Sequence, residues 1–290
     1  RTKLFRPRPA KDIIGRNRLT SLLKQGFDCP LTLVSAPAGF GKSTLVGQCL
    51  DELGDEWKCG WYSVNASDDS LRTFLLYLVS AIRSVVPEAC GESLELVRLE
   101  VLPSPVQMAA CFGNELVRLG ERIIVVIDDF HRLQEPAIGD FLIALLEHPP
   151  PNLHLVIVTR RDPSISLHRW RANGSVNEVR LDDLRFNEEE VEIYLAGSLE
   201  ADALPNLSRA ELERFEGWPV ALRLLVLSLR GKRTPREITE ALPSVPAKVS
   251  GYLIEGILDE LDPEKLDALL KTSIPNRFSA DLCAAILPGL

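Results

Sequence analysis

No stretch of this chain approaches the roughly 18 uninterrupted apolar residues that a membrane-spanning helix requires, although 46% of its 290 residues are hydrophobic. The N-terminus lacks the charged-then-apolar pattern of a secretory leader. A cytoplasmic chain with no membrane partner is therefore the expectation. Six cysteines, at positions 29, 49, 59, 90, 111 and 283, form no CxxC pair and have no histidine at zinc spacing. That excludes the usual structural zinc site and predicts reduced, mostly buried thiols. Positive charge is also short. With a net charge of −8, bulk electrostatics does not make this chain a nucleic-acid binder, and a DNA contact would need a local patch or another segment. The basic run "RTKLFRPRPAK" at the start reads better as a solvated arm or interdomain linker. Internal repeats and low-complexity segments are missing. So is an initiator methionine, and the chain ends on "LPGL" soon after a helical pattern, which predicts a piece of something longer.

What is present is an ordered alternation. At 290 residues the chain is long enough for two or three domains. Five short runs rich in Val, Ile or Leu occur at 31–36, 59–65, 123–128, 153–159 and 176–181, separated by helical or loop sequence. "IIVVID" and "LHLVIVT" are nearly continuous apolar runs, as strands covered on both faces must be, so a parallel sheet between helical layers follows. This predicts an α/β domain over 1–185. Beyond it the pattern turns helical. Asn187 and Glu190 are spaced as a capping box, as are Ser208 and Glu211, and Pro219 falls in the first turn of a third helix. A small helical domain is expected over 186–242. "ALPSVPAK" reads as a linker, and a further helical unit begins within 243–290.

The stretch Ala36-Pro37-Ala38-Gly39-Phe40-Gly41-Lys42-Ser43 fits the phosphate-binding loop, with Ala36 where the first glycine usually stands. It lies between an expected strand and an expected helix, the context such a loop requires. Its backbone N–H groups and the helix N-terminus would cradle a polyphosphate. Lys42 would reach the β- and γ-phosphates, Ser43 would ligate Mg²⁺, and Thr44 would support the α-phosphate side. The second half of a metal site is a strand ending in acid, and "IIVVIDDFH" supplies one. Asp128 would hold Mg²⁺ directly or through water, while Asp129 would orient or deprotonate the attacking water. His131 reads as a packed or loop histidine. The next strand ends "VIVTRRDP", placing Thr159, Arg160 and Arg161 at the carboxyl edge where such sheets bind ligands. Arg160 is the candidate γ-phosphate sensor, since a guanidinium binds phosphate oxygens bidentately.

"APAGFGKST", "IDDFH", "TRRDP" and "GWPVAL", with the leading "TKLFRPRP" and "GRNRL", resemble the N-terminal ATPase module of the MalT-like large ATP-binding regulators of the LuxR family, members of the signal-transduction ATPases with numerous domains. The likeness runs over nearly the whole chain. It implies a P-loop NTPase fold with a five-stranded parallel sheet, then a small helical domain, then the start of a winged-helix domain over 243–290, complete or truncated. It implies ATP and ADP as ligands with Mg²⁺. By the same resemblance the backbone of Ile14, Gly15 and Arg16 would contact adenine. Gly217 and Pro219 match the glycine-x-proline motif whose proline packs on the base. Asn65 departs from the acidic residue common in its loop. The resemblance further implies an ADP-bound closed resting state, self-association in the ATP state, slow hydrolysis as reset, and an inducer and DNA contacted through domains this chain does not include. Two other classes compete: a constitutive P-loop ATPase motor, for which Arg169 or Arg171 could serve as an arginine finger, and a P-loop kinase, for which the chain offers no arginine-rich lid.

Overall fold

A computed structural model describes residues 2–8, 13–199, 209–231, 237, 240, 245–256, 263–274 and 279–287. The five expected strands all form: β1 (Leu31–Ser35), β2 (Lys58–Ser63), β3 (Ile123–Asp128), β4 (Leu153–Thr159) and β5 (Val176–Val179). They make one parallel sheet in the order β2-β3-β4-β1-β5. Parallel neighbours cannot be joined by a tight turn, so helices cross over between them and cover both faces.

Side-chain alternation along each strand supplies both faces. On β3, Ile123, Val125 and Ile127 point into one core with Phe74, Leu78, Phe112 and Phe141, whereas Ile124 and Val126 point into the other with Leu19, Leu45, Val46 and Trp61. The second layer is built by α1 (Asn17–Gln25) and α2 (Lys42–Asp51), the first by α3 (Leu71–Arg83), α4 (Gly91–Arg98), α5 (Pro105–Leu119) and α6 (Pro136–Glu147). Burying each of these aliphatic side chains contributes on the order of 1.5–3 kcal/mol, which is why the central strands carry almost no polar residue. Besides Thr32 on β1 and the strand-end residues Ser35, Asp128 and Thr159, the buried polar residue on them is His154 of β4. Its ring lies against the carbonyl of Cys29 (2.6 Å) and the Thr32 hydroxyl (3.0 Å), and burial keeps it neutral, with a pKa lowered to about 4.

Ala66–Asp68 forms a turn of 3-10 helix after β2, and it explains what Asn65 does in place of an acid. Its Oδ1 accepts from the Ser67 N–H and its own N–H donates to Asp68 Oδ2, each at 3.0 Å, a reciprocal cap.

The chain divides into two compact units, one of Arg1–Ser198 with Arg209–Val220 and the other of Leu199–Ser208 with Ala221–Leu290. The first holds the sheet, the short helices α7 (His168–Ala172) and α8 (Leu181–Leu184) on either side of β5, then α9 (Glu188–Ser198) and α10 (Arg209–Glu213). The second contains most of α11 (Pro219–Leu229), where Leu222, Leu225 and Leu229 are buried, and helices Val245–Gly256, Pro263–Thr272 and Ala280–Ile286. Asn187 and Glu190 form the expected capping box. The box at Ser208 lies outside the described residues, as does part of the winged-helix expectation, and the described residues of 243–290 show helices without a wing. One expectation is corrected. The stretch read as a linker is helical from Val245 onward, because Pro246 sits in the first turn, where no backbone N–H is required of it.

Candidate nucleotide site

Gly39 and Gly41 both adopt left-handed backbone, at φ 82° and 73°, a conformation that glycine takes without steric cost. These two reversals turn the chain from the end of β1 into the N-terminus of α2. Gly41 is the residue preceding the helix, and among the described residues a Cβ there would meet nothing within 4 Å. Gly39 is different. A Cβ on it would come within 2.6 Å of Val220 and 2.9 Å of Trp218, so another part of the chain lies directly against the loop.

Lys42 turns back into the loop and donates to the Pro37 carbonyl at 2.9 Å. Burial, and next the positive charge of Arg160, lower its pKa to about 8. Ser43, one residue on, donates from Oγ to Asp128 Oδ1 at 2.9 Å. The second partner of that carboxylate oxygen is the Asp129 N–H, at 3.0 Å. Asp128 ends β3 and is only 3% exposed. Burial first, and the neighbouring Asp129 charge second, raise its pKa to about 6. Asp129 takes a left-handed conformation at φ 58°, which an aspartate tolerates better than most residues. The reversal leaves its carboxylate 43% exposed. Local strain of this kind is held by the surrounding structure, and it concentrates at functional positions.

The sheet order brings the ends of β1, β3 and β4 side by side, and the expected residues gather there. Lys42, Ser43, Asp128 and Asp129 are in mutual reach, and the Arg160 charge acts on both Lys42 and His131. His131 Nδ1 stands 3.9 Å from Asp129 Oδ1, and burial lowers its pKa to about 4, so it is neutral at physiological pH. Arg161 leans across to the His131 carbonyl at 3.4 Å. The pair of hydroxyl and carboxylate oxygens is a hard donor set of the kind Mg²⁺ prefers, and the lysine ammonium stands beside it. Both fit a metal–polyphosphate ligand.

Beyond Ser43 and Thr44 a cleft of about 440 Å³ opens between α2 and the N-terminal arm, lined by Arg6, Arg8, Ile13, Gln48 and Asp51 among others. Gln48 donates to the Ile14 carbonyl at 2.9 Å and so holds the arm along its rim. The Arg16 side chain points elsewhere. Its guanidinium forms a two-pronged pair with Glu190 (3.2 and 3.0 Å), donates to the Leu184 and Arg185 carbonyls and stacks over Phe186. Phe40 is buried in the second core cluster.

Two features were not legible in sequence. Trp218 stacks on Phe40 with ring centroids 6.0 Å apart, and its indole N–H donates to the Ala38 carbonyl at 3.3 Å. The Val220 N–H donates to Gly39 O at 3.2 Å, which places Pro219 beside the loop as well. Gly217 is needed just before this contact, because at φ 66° its Cβ would fall 2.3 Å from the Phe186 carbonyl. Only the tryptophan between two motif residues hinted at the contact. The second feature is the role of Glu190 as counter-ion to Arg16, 174 positions away, since its spacing signalled a helix cap and nothing more.

Comparison with known proteins agrees with this geometry. The model of the AAA ATPase domain matches residues 14–158. The HTH-type transcriptional regulators MalT of Yersinia pestis (strain Pestoides F) and of Yersinia enterocolitica serotype O:8 are each 30% identical over 278 residues, covering 94% of this chain and 30% of theirs. The chain thus spans less than a third of the length of these relatives. Among solved structures, a Walker-type ATPase of Pyrococcus abyssi superposes with a TM-score of 0.56 at 18% identity, covering 97% of this chain and 86% of that one. A signal-transduction ATPase with numerous domains and a tetratricopeptide repeat sensor, from Pyrococcus horikoshii, gives 0.55 at 18%, covering 96% and 37%. At that identity the two structures show a shared fold.

Proposed function

Because this chain belongs to the AAA ATPase domain family, as a MalT-like nucleotide-binding module of a regulator, we propose that it is an ATP/ADP switch in a cytoplasmic transcriptional regulator. Ser43 and Asp128 hold Mg²⁺, Lys42 neutralises the β- and γ-phosphates, and Asp129 orients the attacking water. Thr44 and the backbone of Ala38, Gly39, Phe40 and Gly41 cradle the phosphates, while Ile14, Gly15 and Arg16 supply backbone to the adenine. Bound magnesium would supply charge neutralisation between the phosphates. Arg160 reads the γ-phosphate and Pro219 the base. The division into 1–185, 186–242 and 243–290 is part of the same reading.

The single observation that supports it best is the Ser43–Asp128 hydrogen bond at 2.9 Å, which joins the loop to the end of β3. A hydroxyl bonded to a buried carboxylate needs only to rotate its proton away for both oxygens to face a metal. Lys42 and the exposed Asp129 flank that position, one suited to a phosphate and the other to a water. In the proposed cycle ADP favours a closed resting state. ATP with an inducer favours an open state able to self-associate, by the difference in its affinity for the two forms. Slow hydrolysis resets the switch. Inducer and DNA would be contacted by other parts of the full-length protein.

The test is chromatography of nucleotide released by denaturing the freshly purified chain, with Lys42→Ala as control. Stoichiometric ADP from the wild type and none from the variant is the expected result. An empty wild type that turns over added ATP steadily would point instead to a constitutive ATPase. The finger this alternative would use is already engaged if it is Arg171, whose guanidinium is bound to Asp162 and Glu178 of its own chain at 2.9 Å each.

A further inference from the structure

Two residues past Arg160, the Asp162 carboxylate is the centre of a ring of charge. Its Oδ1 accepts from the Ser35 hydroxyl (3.3 Å) and from Arg180, and its Oδ2 accepts from Arg171 (2.9 Å) and again from Arg180 (3.2 Å). Glu178 closes the ring from the far side, bonding Arg171 at 2.9 Å and Arg180 at 2.8 Å. The Arg180 hydrogen bond, ahead of that from Arg171, holds the Asp162 carboxyl below the usual carboxylate range.

The partners come from separate elements: Ser35 ends β1 at the root of the phosphate loop, Arg171 lies on α7, and Glu178 and Arg180 lie on and just past β5. An isolated surface ion pair contributes little to stability. A closed ring of four charges does something else, since it fixes where its members point. The other side of Arg160 is fixed too. Ala36 N–H donates to the Thr159 carbonyl at 3.3 Å, and Thr159 Oγ1 donates to the Arg161 carbonyl at 2.6 Å. Pro163 follows Asp162 and restricts its backbone to extended conformations. Arg160 therefore stands in a short turn fastened at both ends to the residues that begin the phosphate loop.

We propose that Asp162, gripped by Arg171 and Arg180, is a positioning residue that aims Arg160 at the γ-phosphate and thereby sets the preference of the site for a triphosphate over a diphosphate. This rests on Arg160 being the γ-phosphate reader. Asp162 itself touches no nucleotide. Its effect falls on the one ligand group that ATP has and ADP lacks, so removing the anchor should weaken triphosphate binding selectively. A turn that served stability alone would carry no such selectivity.

The experiment is titration calorimetry of the chain with Mg²⁺ and either adenylyl imidodiphosphate or ADP, comparing wild type, Arg160→Ala, Asp162→Ala, Arg180→Gln and the Arg160→Ala/Asp162→Ala double variant. The ratio of the two affinities should fall about tenfold in both Arg160→Ala and Asp162→Ala, as expected when a charge-assisted hydrogen bond to phosphate is removed or misdirected. It should fall less in Arg180→Gln, where Arg171 still holds the carboxylate. The double variant should match Arg160→Ala, since one anchor acting through one reader cannot count twice. If Asp162→Ala weakens both nucleotides equally, or its effect multiplies with that of Arg160→Ala, the positioning role is overturned while the sensor reading survives. If Arg160→Ala leaves the ratio unchanged, sensor and anchor both fall.

Discussion

Replacing Asp128 by asparagine should make the nucleotide-free protein more stable while destroying the proposed metal site. The carboxylate is 3% exposed, and its pKa is raised from 3.8 to about 6. A carboxyl that binds its proton more tightly when folded contributes stability that is fully present below its unfolded pKa and is lost as pH rises through its folded one. Above pH 6 the folded protein thus bears the cost of a buried charge. The rise of about 2 units, at 1.36 kcal/mol each, is a cost of about 3 kcal/mol at pH 8, diminishing to about 1 kcal/mol at pH 4.5. Asparagine keeps the Oδ1 that accepts from Ser43 and the Asp129 N–H but carries no charge, so it should recover most of this difference. For a unit of this size, about 3 kcal/mol at the midpoint corresponds to roughly 6–12 °C. The assay is thermal unfolding of wild type and Asp128→Asn, freed of nucleotide and metal, at pH 8 and pH 4.5. The gain should be large at pH 8 and small at pH 4.5, and Mg²⁺-dependent nucleotide binding should be lost at both. A variant less stable than wild type at pH 8, or a gain independent of pH, would refute the argument that Asp128 is a strained, desolvated charge awaiting a cation.

Three further outcomes follow from the same geometry. Lys42, with its pKa lowered to about 8, must be protonated to meet a phosphate. Nucleotide affinity measured by equilibrium dialysis should therefore fall about tenfold per pH unit above pH 8, and a flat profile to pH 9.5 would contradict this. Glu190→Ala strands the buried Arg16 guanidinium, whose charge-assisted partner is at 3.0 Å. Chemical denaturation should show a loss of about 3–5 kcal/mol, with far less lost in Glu190→Ala/Arg16→Met. Gly217→Ala forces a Cβ to within 2.3 Å of the Phe186 carbonyl at φ 66°, so it should cost about 1–3 kcal/mol and detach Trp218 from Phe40, read as a shift in tryptophan emission.

The five strands, the phosphate loop and the acid-ended β3 were all legible in the chain, for one reason. Strands buried on both faces must be apolar throughout, and a loop that wraps phosphates must place glycine and lysine at set positions, so local chemistry writes both into consecutive residues. The Asn187–Glu190 box was readable on the same ground, its two members being three residues apart. What sequence could not reveal are relations between segments far apart in the chain. The strand order β2-β3-β4-β1-β5 is one of them, and it decides that β1, β3 and β4, the strands leading to Ser43, Asp128 and Arg160, stand side by side. The others are the seat of Trp218 on Phe40, the clasp of Arg16 on Glu190, and the ring of Asp162, Arg171, Glu178 and Arg180. Each of these residues looks locally like a solvated charge, a helix cap or an ordinary apolar side chain. Its partner is chosen only when the sheet has closed and brought the two surfaces together, because a contact between distant segments leaves no periodicity in the sequence that separates them.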